Sequence, residues 1–151
     1  RTAIGDAAGA VSDLARAKEA ARSLGDRLVL SESHRRAAEA ELARGELANA
    51  EREVRWALQI GESVGARVPI GAAYRAAARI AAARGDAAGA DDAFRKSIDV
   101  LGTMRNELEL ARVYRDFAEF RASRGEASEA QALRARAAEV FDRLRAASTT
   151  E

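Results

Sequence analysis

The sequence predicts an all-α fold, an α-solenoid of antiparallel helical hairpins, and three observations carry that expectation. A short phrase recurs as "IGDAAGA", "LARGELANA", "AARGDAAGA" and "ASRGEASEA", and its glycines fall at Gly5, Gly45, Gly85 and Gly125, 40 residues apart each time. The chain is rich in Ala, Arg, Glu and Leu and has a single proline, a composition with strong helix propensity and little strand vocabulary. Between the glycines, apolar residues return at helical spacing, as in Ala90, Phe94, Ile98 and Leu101 or Leu110, Tyr114, Phe117 and Ala118.

Each element follows from that punctuation. Arg44, Arg84 and Arg124 precede a glycine, and Asp6, Glu46, Asp86 and Glu126 follow one. That order suits a helix that stops and another that starts: glycine takes the left-handed conformation, the arginine faces the negative helix end, and the acid faces the next positive end. Seven helices are expected, at 6–24, 27–44, 46–64, 68–84, 86–103, 107–124 and 126–147, with Pro69 near the start of the fourth. They group as the second helix of a truncated repeat (1–25), three complete repeats (26–65, 66–105 and 106–147) and a tail (148–151), one domain in all. Small residues fit close crossing: Ala10, Ala50, Ala90 and Ala130 occupy one register, and Ala17, Ala57, Ser97 and Ala137 another.

The ends of the array differ from its middle. The first helix has no partner helix before it, so Val11, Leu14 and Leu24 are expected to form an open apolar edge, and the chain opens on Arg1 as a piece of a longer polypeptide would. The bulky position held by Leu14, Val54 and Phe94 becomes Arg134 in the last copy, which is what a capping repeat with no successor tolerates.

The Gly-acid phrase, the alanines, the bulky residues at Leu14, Val54 and Phe94, and the aromatics Tyr74 and Tyr114 together resemble the tetratricopeptide repeat over nearly the whole chain. The period of 40 departs from that family's 34, the unit-ending proline is missing, and His34 stands in the tyrosine register. The longer period is similar to a variant in large bacterial signalling proteins, including ATP-binding transcription regulators and kinases or cyclases with helical-repeat tails. The resemblance implies a non-catalytic protein-interaction module whose first helices line a concave groove.

Inventory narrows the chemistry. There is no cysteine and His34 is the one histidine, so no thiolate zinc site or catalytic triad can be assembled, and no phosphate-binding glycine loop occurs. No cofactor or metal is expected, and His34 reads as a packing residue. Lysine and arginine total 25 against 24 acids, a net charge of +1, which disfavours general nucleic-acid or anionic-membrane binding. The lack of cysteine leans toward a reducing compartment such as the cytoplasm. Glu51 with Arg55, Asp91 with Arg95 and Asp92 with Lys96 read as ion pairs one turn apart on solvated helices.

One polar feature repeats beyond the needs of packing. Arg35, Arg75 and Arg115 recur every 40 residues in the first helix of each complete unit, and Arg79 and Arg112 share their face. Against Glu32, Glu39 and Glu119 these five arginines make a mildly basic groove, and in the resembled family such residues hold acidic or C-terminal carboxylate groups of a peptide. The competing expectation is that each arginine is locked to a neighbouring carboxylate. Assembly, through a homodimer or an intramolecular contact at the open first helix, then becomes the leading function.

Overall fold

The computed structural model describes residues 3–24, 26–103 and 105–149. Seven helices occupy nearly all of them: α1 (Ala3–Leu24), α2 (Arg27–Ala43), α3 (Leu47–Val64), α4 (Arg67–Arg84), α5 (Ala87–Gly102), α6 (Glu107–Ser123) and α7 (Ala127–Ser148). There is no strand among the described residues. The all-α array of helical hairpins expected from the sequence is therefore the observed fold, with boundaries displaced by a residue or two and a larger displacement at the first helix.

Three of the four glycine marks do what the sequence asks of them. Gly45, Gly85 and Gly125 have φ of +77°, +84° and +76°. At each, the following amide reaches back to a carbonyl five residues earlier, as Asp86 N–H does to Ala81 at 2.9 Å, while the glycine N–H bonds the carbonyl three residues back. This pairing satisfies carbonyls that a helix end leaves free. Gly5 is the exception and corrects the expected start at residue 6, since α1 runs through it from Ala3. A left-handed glycine is needed only where one helix must stop before the next, and no described helix ends at Gly5. The fourth left-handed glycine among the described residues is instead Gly65, at +67°, which closes α3.

The helices stack in order, each touching the next, and α2 also touches α4 as α4 touches α6. Among the described residues, α1, α3, α5 and α7 are not packed on one another, and α1 meets α3 only through the Lys18–Glu53 ion pair. The array therefore bends with α2, α4 and α6 on its inner side, as solenoids do. Two apolar clusters fill it, one around Val54, Ala73, Ala76 and Ile80, the other around Phe94, Leu101, Val113, Phe117 and Phe120, and Ala77 packs against both. Alanine at 50, 90 and 130 is wholly buried. At Gly71 a Cβ would come within 2.5 Å of Leu101, so the α4–α5 crossing leaves room only for hydrogen. Buried serines tie the crossings: Ser31 donates to the Ala57 carbonyl at 2.8 Å, and in the next unit the roles exchange, Ser97 donating to the Gly71 carbonyl at 2.7 Å.

Candidate functional site

The inner layer places Arg35, Arg75 and Arg115 where α2, α4 and α6 meet, yet it does not leave them free. Arg35 donates to Glu39 at 2.8 Å and grips Glu32 through two further hydrogen bonds. Burial by itself would push Glu32 up, but the bonds and charge of Arg35, then of Arg36, hold its carboxyl below the ordinary glutamate range. Arg75 is 9% exposed; its guanidinium donates to Asp116 at 2.9 Å and lies 3.9 Å from Glu39, while its Nε is buried without an acceptor. The ladder is thus a chain of ion pairs across three helices, Arg35 to Glu39 to Arg75 to Asp116.

The other arginines divide. Arg112 pairs with Glu109 one turn earlier. Arg115 is half-exposed and makes a 3.4 Å contact with Asp116, not with Glu119. Arg79 is exposed and has no partner among the described residues. Asp116 and Glu109 did not figure in the sequence-based charge balance of this face; with them the acids equal the five bases, and the expected basic surplus disappears. Asp116 carries no repeat signal, since the same register holds Arg36 and Ala76. The one hint is Arg75 itself, which has no acid on its own helix face and must find one elsewhere.

Pairs expected on single helices are partly redirected. Asp91 with Arg95 (2.7 Å) and Asp92 with Lys96 (2.9 Å) form as read. Glu51 does not pair with Arg55, which reaches only the Glu51 carbonyl; its carboxylate takes Arg84 of α4 instead. Arg84 also bonds Asp86 at 3.1 Å, Arg44 bonds Glu41 and Arg124 bonds Glu126, so the arginines at the turns are structural. Asp86 caps α5 by accepting from Gly89 N–H at 2.9 Å, and that bond, with Arg84, holds its carboxyl below the usual range.

His34 is buried, as a packing residue should be, but it also has a polar partner. Its Nδ1 lies 2.6 Å from Glu53, which receives Lys18 of α1 at 2.6 Å on its other oxygen. The register of Glu53 holds Ala93 and Leu133 in later units, so this half-buried triad does not repeat. His34 also stacks 6.2 Å from Trp56. In the later units Lys96 lies over Tyr74 at 5.8 Å and Arg136 over Tyr114 at 5.5 Å, so each hairpin carries an aromatic contact at one position. Trp56 stands 40 and 80 residues before Lys96 and Arg136, and that register is its one signal in the sequence.

Among the described residues, no cluster of His, Cys, Asp or Glu has the geometry of a metal site, and no helix is long and apolar enough to cross a membrane. No family model and no curated protein matches this sequence. The fold does match a solved structure, that of BtubC (BKLC) from P. vanneervenii, with a TM-score of 0.76 at 19% identity over 92% of this chain. The chain spans 57% of that protein's length. At that identity the likeness speaks for the helical fold alone.

Proposed function

We propose that this chain is a non-catalytic interaction module of tetratricopeptide-like kind, which holds a segment of another protein against the layer formed by α2, α4 and α6. The observation that carries this reading is the bend of the array around those three helices, since a curved solenoid displays one continuous surface along its inner side. Arg35 and Arg75 are spent on holding the layer together. Arg79 and Arg115 are the cations that project from it and that a partner's carboxylates would meet.

The test is a titration with an acidic peptide at two salt concentrations. Arg79→Ala with Arg115→Ala should weaken binding by about 1–3 kcal/mol, because exposed charge-assisted contacts are lost. Binding that ignores both salt and these substitutions would overturn the inner-face reading. A second reading, assembly through α1, is favoured by one observation: Leu14 is half-exposed where Val54 and Phe94, in the same register, are 5% and 0% exposed.

A further inference from the structure

Hairpin topology brings the ends of α3, α5 and α7 and the starts of α2, α4 and α6 to one edge of the array, opposite the glycine turns at 45, 85 and 125. On this edge apolar residues recur at the second position of each inner helix, Leu28, Val68 and Leu108, 40 residues apart. Leu28 and Leu108 are 49% and 40% exposed, and Val64 and Leu144 at the ends of α3 and α7 are 42% and 36% exposed. Val68, Leu108 and Leu144, with Arg105, Asn106 and Glu107, line an open hollow of about 770 Å³.

Two cations at the same edge run against the helix dipole. Arg27 and Arg67 are the first residues of α2 and α4, where a cation faces the positive helix end and costs a few tenths of a kcal/mol or more. Neither has a carboxylate partner among the described residues: Arg27 donates to the Ser63 hydroxyl at 3.0 Å, and Arg67 to that of Thr103 at 3.1 Å. Arg105 precedes α6, is exposed, and has no partner among the described residues. The start of α4 is the least compensated, with Ala66 as its cap, no side-chain bond to the free amides and no acid in the first turn. The nearby acids are engaged: Asp26 caps Val29 N–H, Glu62 accepts from Tyr74, and Glu107 takes Arg143 at 2.6 Å. Arg27 and Arg67 at unfavourable positions, beside the exposed Leu28, Val64, Leu108 and Leu144, break local rules in the way that binding surfaces do.

We infer that this edge, centred on the hollow between the starts of α4 and α6, docks an amphipathic acidic segment of a partner protein. An apolar side chain of the segment enters among Val68, Leu108 and Leu144, and its carboxylates meet Arg67 and Arg105. The inference rests on the reading of the chain as an interaction module but places the contact away from Arg79 and Arg115. With neighbouring inner helices about 8–10 Å apart, a helical segment of about 15 residues would reach from one repeat to the next and beyond.

The experiment is fluorescence anisotropy of a synthetic peptide of about 15 residues with Leu at every helical turn on one face and Glu on the other, added to the whole chain. Three variants are compared: Arg67→Ser with Arg105→Ser, Leu108→Gln, and Arg79→Ala with Arg115→Ala. The substituted side chains are exposed, and circular dichroism verifies that each variant folds. Each edge variant should weaken binding about tenfold, and the inner-face variant should bind as the unaltered chain does. A control peptide with Ser for Leu should bind at least about tenfold more weakly to the unaltered chain. Binding lost in the inner-face variant and kept in both edge variants overturns the edge and leaves the inner-face reading standing. Failure of the leucine peptide to bind, with an acidic polar peptide still captured through Arg79 and Arg115, does the same. Failure of both peptides overturns both.

Discussion

Arg75 and Arg79 lie one turn apart on α4, yet one is buried against Asp116 and the other stands in solvent. Removing one member of a buried pair strands the other charge, so Arg75→Ala should cost about 3 kcal/mol or more in urea unfolding. Arg79→Ala should stay within about 0.5 kcal/mol. Because the Arg75 Nε finds no acceptor, the pair is imperfectly satisfied, and Arg75→Met with Asp116→Leu should recover most of the loss. An Arg75→Ala chain as stable as the parent would show that the pair contributes nothing to the layer. The same logic applies to Glu53. Burial by itself would raise its carboxyl, but hydrogen bonds from His34 and Lys18 prevail and hold it below the ordinary glutamate range. A depressed carboxylate contributes its stability above the unfolded glutamate's pKa and loses it as pH falls through the lower folded value. The melting-temperature gap between parent and Glu53→Gln should therefore be widest near neutrality and close below about pH 4. A gap independent of pH would mean that the carboxylate is not held in the triad.

At the scale of the helix, glycine position decides the sign of a substitution. Gly85 sits at φ +84° with nothing within 4 Å of a built Cβ, so Gly85→Val is opposed by backbone strain alone and should lose more than about 1 kcal/mol. Gly9 lies inside α1, also with open space around it, and Gly9→Ala should gain about 0.5–1 kcal/mol. Equal effects in thermal melts would contradict the assignment of turn and helix interior. These two positions also show what was legible in the sequence. The phrase around Gly85 couples a basic residue, a glycine and an acid, which are the three parts of a helix stop and start, and the structure uses all three. Gly5 carries only the glycine and the acid of that phrase, with Ile4 in the basic place, and helix α1 runs straight through it. Gly65 makes its turn without that phrase, though Gly25 stands 40 residues earlier as a signal of period. The candidate site was less legible, because partners such as Asp116 for Arg75 come from another repeat at no fixed register.

Across the whole molecule the contacts are nearly one-dimensional, and stability should follow the number of neighbours each helix has. Helix α4 contributes to both apolar clusters, through Ala73, Ala76 and Ile80 on one side and Ala78 and Ala81 on the other. Among the described residues, helix α1 packs along α2 alone and reaches α3 only through the Lys18–Glu53 ion pair. Its Val11 and Leu14 stay half-exposed, while Leu24, the third residue expected on that edge, has a side chain outside the described residues. Amide exchange should accordingly be fastest in α1 and slowest in α4, since local opening follows the apolar contact that must be broken. If the α1 edge is also an assembly surface, raising the protein concentration should slow exchange in α1 before any other helix, because association protects only the surface it covers. Light scattering over the same range should then show a rising mass. Leu14→Glu separates the two effects: it should abolish the concentration dependence and leave α4 protection unchanged. A monomer at every concentration, with α1 as protected as α4, would show that packing on α2 suffices for this helix and that its apolar edge recruits nothing.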